Sequence, residues 1–326
     1  MKTKKLDIPP IWIAVILLYI IACILSPNML SWNQIKNLLK ISAFLGTVSL
    51  GQTFAILLGG IDLSVAGVIT ATNIICCMQM AYGEGSTFLA IAIPLALGIF
   101  IGLLKGVIIT RIRILPMIVT LALNNVIFGL ALILTKGVSK GRVSPAFAAM
   151  GDGAMLGVIP WTFVFFMLTA AILFFIQKKT RLGREMYAAG ANYRSAFIAG
   201  VNSDAVIIKA HIISSICAVI CGLLLSAYIN LPSFDLGDPY ATDSIAAVVI
   251  GGTLMSGGVG GIGGTIGGAI FMTILNSLLN VLKMGMGPQY IIKGAIIVIG
   301  LAATSPAVRK QIKSRFCGLK KNTSAA

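Results

Sequence analysis

The sequence predicts an all-α integral membrane protein with about ten transmembrane helices and both termini in the cytoplasm. Of the 326 residues, 58% are hydrophobic and only 10% are charged, whereas a soluble domain carries roughly 25% charged residues. The mean hydropathy is +0.99. Apolar runs long enough to span a bilayer, about 20 residues each, follow one another along the chain. A large polar region that could form a separate soluble domain is absent from the sequence.

Ten apolar runs define the predicted spans, with interruptions expected near 59–64 and 251–262. The spans are 11–27, 41–58, 64–82, 87–109, 115–135, 160–177, 205–230, 241–256, 262–282 and 289–306. The predicted domains are a cytoplasmic N-terminus (1–10), one transmembrane domain (11–306) with a cytoplasmic loop (178–204), and a basic cytoplasmic tail (307–326).

The charge distribution predicts the topology. A net charge of +16 would suit nucleic acid, but the Lys and Arg residues lie in short segments between apolar runs, as cytoplasmic loops do. We therefore predict no nucleic-acid partner and a bilayer environment. The basic N-terminus and the first apolar run resemble a signal peptide. The run ends without a small-x-small cleavage site, however, so we predict an uncleaved first span.

The first interruption holds the motif Gly59-Gly60-Ile61-Asp62-Leu63-Ser64. A buried carboxylate is costly unless it is paired or hydrogen-bonded. We expect Asp62 to accept hydrogen bonds from the first free N–H groups of the following helix. Helix breaks of this kind often mark a transport pathway. The sequence leaves two roles open for Asp62, namely stabilising the break and binding a transported solute.

The second interruption resembles the first, with Gly251 and Gly252 in place of Gly59 and Gly60. Paired interruptions in the two halves of a chain indicate a pathway near the membrane midplane. The following run, 258–263, fits the dinucleotide pattern G-x-G-x-x-G. That fold needs an acidic residue about 20 positions later, and no acid follows Asp243. The spacing of Gly257, Gly261, Gly264 and Gly268 instead predicts close helix–helix packing.

The cytoplasmic loop 178–204 predicts a short helix over 193–199, capped by Asn192 and ended by Gly200. Ala196 and Phe197 give this helix more apolar surface than a solvated loop needs. Such a patch favours a protein contact, although a helix lying flat on the bilayer surface is the alternative.

The sequence offers no catalytic, metal or cofactor site. It lacks the phosphate-binding pattern G-x-x-x-x-G-K-[ST], so we expect no ATP site in this chain. Its single histidine, His211, lies in apolar sequence and is expected to be packed or interfacial. We therefore predict that the chain is not itself an enzyme.

Three segments together resemble the permease subunits of ribose-type sugar importers of the ATP-binding cassette class. They are 59–65, 182–200, and 244–252 with the glycine run after it. Thr120-Leu121, which follows Pro116, adds a weaker likeness. The similarity covers about residues 38–305. Ala66 stands where the family usually has glycine, which is a mild departure.

The resemblance implies several partners. These are a second permease copy, identical or paralogous; an ATPase with two nucleotide-binding cassettes, which binds the ATP; and an extracytoplasmic sugar-binding protein that meets outer residues such as Asp152, Asp235 and Asp238. It also implies a multi-pass protein of the bacterial plasma (inner) membrane. The coupling segment, residues 190–200, would transmit ATPase movements to the spans through Gly190, Asn192, Arg194, Ala196, Phe197 and Gly200.

The function implied by the resemblance is inward passage of a monosaccharide, a ribose-like pentose or similar sugar, by alternating access. A permease for branched-chain amino acids or nucleosides is the first alternative. An autonomous secondary sugar carrier is the second alternative.

Overall fold

A computed structural model describes residues 10–81, 86–138 and 140–304. The helices are α1 (Pro10–Leu25), α2 (Trp32–Leu57), α3 (Val65–Met80), α4 (Thr87–Ile112), α5 (Pro116–Thr135), α6 (Pro145–Asp152), α7 (Trp161–Lys179), α8 (Arg181–Ala191), α9 (Tyr193–Ile198), α10 (Ser203–Ile229), α11 (Asp238–Ile250), α12 (Ile262–Val281) and α13 (Met286–Thr304). A 3₁₀ turn (Pro27–Leu30) joins α1 to α2. Two short strands, β1 (Ala154–Met155) and β2 (Ile159–Pro160), pair antiparallel.

The helical fold confirms the predicted class. Each predicted apolar run corresponds to a helix within the described residues, and six of these helices are long and apolar enough to cross a membrane. They are α2, α4, α5, α7, α10 and α12, while α1, α3 and α13 are shorter apolar helices. The sidedness of the termini stays a prediction. Residues 1–9 and the tail 307–326, to which part of the predicted domain division applies, lie outside the described residues.

Local sequence determines where several helices begin. The side chains of Ser31, Ser144 and Asn202 each accept a hydrogen bond from a backbone N–H in the first turn of α2, α6 and α10. These caps satisfy donors that have no partner inside a helix. Pro116 occupies the first turn of α5, where a missing N–H costs nothing.

Helix α10 lies at the centre of the bundle, against α2, α3 and α4. Three glycines spaced four residues apart on α4, namely Gly98, Gly102 and Gly106, face α10. A Cβ atom at Gly102 would lie 2.6 Å from the Cα of Ile212, and one at Gly106 would lie 2.7 Å from the Cα of Ile208. Small residues at this spacing let two membrane helices approach closely.

Glycines also join α11 to α12, as the sequence predicted for part of its glycine run. Gly264 and Gly268 approach the backbone of Gly251 and Ala247 so closely that a Cβ atom at either position would collide with it. The prediction of helix packing at these two positions is confirmed. Gly257 and Gly261 lie instead in the loop before α12.

The segment that carries α6 and the β1–β2 hairpin lies at the opposite end of the bundle from α8. Gly151 packs against the backbone of Ala227 near the end of α10. Asp152 forms an ion pair of 3.3 Å with Lys40 near the start of α2. Helix α2 therefore runs from this end of the bundle to the end that carries α8 and α9.

Candidate functional site

The first helix break (58–64) separates α2 from α3, as predicted. Gly59 adopts a φ of +75°, which glycine tolerates without steric cost. Thr120 on α5 satisfies two backbone groups of the break. Its hydroxyl accepts from the N–H of Leu63 and donates to the carbonyl of Ile61, both at 3.1 Å. Gly60 packs against Pro116, 3.2 Å from where its Cβ atom would lie. The freed backbone is thus satisfied by protein.

Asp62 is fully buried and forms an ion pair with Lys105 of α4, which is also fully buried. The carboxylate also accepts from the hydroxyl of Ser214 at 2.7 Å, from the hydroxyl of Ser64 at 2.6 Å, and from the N–H of Ser64 at 3.1 Å. His211 Nδ1 lies 3.8 Å from the same carboxylate. A buried charge needs this degree of pairing to be tolerated.

The expected capping role of Asp62 is only a small part of what it does. The carboxylate accepts one backbone N–H, that of Ser64, and Ser64 itself makes no side-chain cap. The dominant partner is Lys105, which was not predicted from the sequence. The sequence feature that could have indicated this partner is the presence of a lysine inside the apolar run of α4. His211 is buried, as expected for a packed histidine.

The side chain of Gln52 on α2 holds the backbone of Asp62. With its amide oriented to satisfy both groups, Gln52 donates to the carbonyl of Asp62 at 3.1 Å and accepts from its N–H at 3.2 Å. Gln52 precedes the end of α2 by five residues, which is about 7.5 Å along the helix. The chain therefore turns at Gly59 and re-enters the bundle to bring Asp62 level with Gln52.

The second break (251–261) separates α11 from α12 and is also confirmed. Gly252, Gly257, Gly258 and Gly260 have φ values between +74° and +131°, a region that disfavours other residues. Two contacts tie the end of this break to the α7–α8 region. The hydroxyl of Tyr187 donates to the carbonyl of Gly260 at 2.7 Å, and Gln177 accepts from the N–H of Ile262 at 3.1 Å. Gly251 packs on α12, as described above.

The two breaks meet at the end of α8, in a contact we call the junction (Leu57, Gly190 and Gly258). The N–H of Gly258 donates to the carbonyl of Leu57 at 2.8 Å. A Cβ atom on Gly190 would collide with that carbonyl and lie 2.9 Å from the nitrogen of Gly258. A Cβ atom on Gly258 would lie 2.8 Å from the Cα of Ala191. Backbone touches backbone at each of these contacts.

The junction lies at one end of α2, and the pathway near the membrane midplane stays a prediction. Helix α2 has 26 residues, or about 39 Å, and so exceeds the roughly 30 Å hydrocarbon core by itself. The breaks meet where α2 ends, beside α8. The re-entrant part that carries Asp62 lies further from that end of α2, level with Gln52.

The predicted short helix is present as α9. Asn192 caps it by accepting from the N–H of Ser195 at 2.9 Å, and Gly200 follows it with a φ of +84°. Phe197 and Ile198 are 65% and 85% exposed. Ala196 is buried in the cluster that contains Met186 and Val206, so its side chain holds α9 on the bundle and cannot face a partner.

The coupling segment carries two further polar side chains, those of Arg194 and Tyr193. Arg194 is exposed on α9. The hydroxyl of Tyr193 donates to Asp204 at 2.8 Å, and this hydrogen bond raises the pKa of the Tyr193 phenol.

Among the residues that the structure describes, no group of three His, Cys, Asp or Glu side chains could hold a metal ion.

Comparisons with known proteins show what this chain is similar to. A family model described as branched-chain amino acid transport system / permease component matches residues 34–301. A ribose import permease of Haemophilus influenzae is 31% identical, over 90% of this chain and 91% of the relative. The D-allose transport system permease of Escherichia coli is 30% identical, over 85% of both chains. A solved ABC transporter in an inward-facing conformation is similar with a TM-score of 0.49 and 15% identity, covering 91% of this chain and 98% of that one.

Proposed function

This chain belongs to the family of branched-chain amino acid transport system permease components, and from that membership we propose that it is the permease subunit of an ATP-driven sugar importer. It is a multi-pass protein of the inner membrane. The proposed cargo is a monosaccharide, and a ribose-like pentose is the preferred candidate. The relatives that match most of this chain are named for ribose and allose. Branched-chain amino acids and nucleosides are the alternative cargoes.

The observation that carries the mechanism is the junction. The end of α8 leads into α9, which exposes Phe197 and Ile198. The same end of α8 contacts both helix breaks through backbone atoms. Because the three contacting backbones have no flexible side chains between them, a displacement of α8 moves both breaks together. A partner ATPase that docks on α9 would thereby reach the region around Asp62.

In this mechanism the chain hydrolyses no ATP itself. A tandem-cassette ATPase binds the α9 side of two permease copies, and a sugar-binding protein docks at the opposite end. ATP binding and hydrolysis change how strongly the ATPase prefers one permease arrangement over the other. That difference in affinity shifts the population between outward-open and inward-open states. The Asp62–Lys105 pair keeps the first break in one shape while the helices around it move.

The test is reconstitution of the permease with its ATPase and sugar-binding protein in liposomes. We expect ribose accumulation that requires all three components and ATP. Accumulation of leucine or a nucleoside in place of sugars would favour the alternative cargo within the family. Concentrative sugar uptake by the permease alone, driven by an ion gradient, would contradict the proposal and support a secondary carrier.

A further inference from the structure

A polar cavity of about 510 Å³ lies among α2, α11, α12 and α13. It occupies the end of the bundle opposite α8 and α9. On α2 its lining extends from Gln34 to Leu45, and Leu45 precedes Leu57 of the junction by 12 residues, or about 18 Å along the helix. On the predicted topology this is the extracytoplasmic side. The volume falls within the roughly 300–1,000 Å³ typical of small-molecule sites.

Amides and one ion pair dominate the polar lining. Lys293 and Asn276 both donate to the same carboxylate oxygen of Asp243, each at 3.1 Å. Asp243 and Lys293 are mostly buried, with side chains 9% and 16% exposed. Because the two charges neutralise each other, the cavity favours a neutral polar ligand over an anion or a cation.

Several polar atoms of the lining are left open for a ligand. The Oδ1 atom of Asn276 is buried and has no hydrogen-bond partner among the described residues. Asn37 lines the cavity, and its side-chain amide forms no hydrogen bond within the described part of the chain. An amide presents both donors and acceptors, as a sugar hydroxyl does. A buried unpaired acceptor is costly, so a ligand hydroxyl that donates to Asn276 would relieve that cost.

We propose that this cavity is a polyol-binding site within a single permease chain, where an entering monosaccharide pauses before it reaches the helix breaks. Asn37 and Asn276 bind its hydroxyl groups, and the Asp243–Lys293 pair holds Asn276 in place. This inference rests on the proposed function, since it names where the cargo binds.

The direct test uses the full-length chain in lipid nanodiscs, with Asn37→Cys as a reporter. The rate of modification by a membrane-impermeant maleimide is measured with ribose, with leucine, and with betaine as the osmotic control. The unsubstituted chain gives the background from the native cysteines. Asn33→Cys is the matched control, because Asn33 is exposed on the same helix one turn away and lies outside the cavity lining.

We expect ribose to slow modification several-fold at position 37 and to leave position 33 unchanged. Equal rates with ribose and betaine at position 37 would overturn the proposal. Protection by leucine in place of ribose would also overturn it, since it would assign the cavity to an amino acid.

A second measurement separates this inference from the proposed function. In the reconstituted complex, Asn37→Leu should lower ribose uptake at subsaturating sugar by about fivefold, the loss of one hydrogen bond, and Asn33→Leu should not. Co-purification of the ATPase verifies that the variant is folded. Unchanged uptake by Asn37→Leu would reject the cavity site and leave the proposed function intact. Absence of sugar uptake by the unsubstituted complex would reject the function, and the protection result would still decide on the cavity.

Discussion

The N–H of Gly258 donates to the carbonyl of Leu57 at 2.8 Å and so joins two helix breaks that lie in opposite halves of the sequence. Gly190, at the end of α8, contacts both groups. The consequence is a direct backbone route from the cytoplasmic helices of the predicted topology to the two interruptions in the bundle.

Gly190→Ala should impair transport, because the new Cβ atom collides with the carbonyl of Leu57. The backbone cannot yield as a flexible side chain would, so α8 must move away from the breaks. We expect sugar uptake to fall about tenfold, equivalent to a change of about 1.4 kcal/mol. Uptake and ATP hydrolysis by the reconstituted complex measure the effect. Gly263→Ala is the matched control, since a Cβ atom there meets nothing within 4 Å. Equal uptake by both variants would argue against the junction as a coupling element.

Lys105→Met should destabilise the protein by about 3–5 kcal/mol, because it leaves the buried Asp62 carboxylate unpaired. Thermal unfolding in detergent, followed by light scattering or intrinsic fluorescence, measures the loss. The double variant Asp62→Asn with Lys105→Met removes both charges and should recover part of the lost stability. If the double variant is as unstable as the sum of the two single variants, the residues do not interact as a pair.

Phe197→Asp with Ile198→Asp should abolish co-purification of the ATPase while leaving the permease folded, since both side chains are exposed. Leu156→Asp is the control. Leu156 is 91% exposed between β1 and β2, at the opposite end of the bundle, and ATPase assembly should be unaffected there. Assembly that survives the double substitution would favour the alternative in which α9 lies on the bilayer surface.

Asn192→Ala should loosen α9, because loss of an N-cap costs about 1 kcal/mol. Hydrogen exchange of the amides in 193–198 should become about fivefold faster, as expected for that energy. Asn192→Ser retains a capping oxygen and should restore protection. Identical exchange in the alanine and serine variants would show that Asn192 does not determine the order of α9.

Much of the fold follows from local sequence, because apolar length, glycine interruptions and caps are properties of neighbouring residues. The breaks at 58–64 and 251–261 and the Asn192 cap are present where the sequence predicted them. Lys105 was not linked to Asp62 because the two residues lie on separate segments, and only the packing of α4 against the break between α2 and α3 brings them together. Ala196 was predicted to lie on the partner surface, but it is buried. A six-residue helix does not reveal which of its faces lies against the bundle.

The sequence by itself determined that this protein is helical and membrane-spanning, with two glycine-rich breaks and a short helix capped by Asn192. Those features need only hydrophobic length and local backbone preference. The tertiary structure alone decided which distant groups meet, namely Asp62 with Lys105, Leu57 with Gly190 and Gly258, and Asp243 with Lys293 in the polar cavity. Such contacts depend on how closely whole helices approach one another, and that distance is fixed by packing across the bundle.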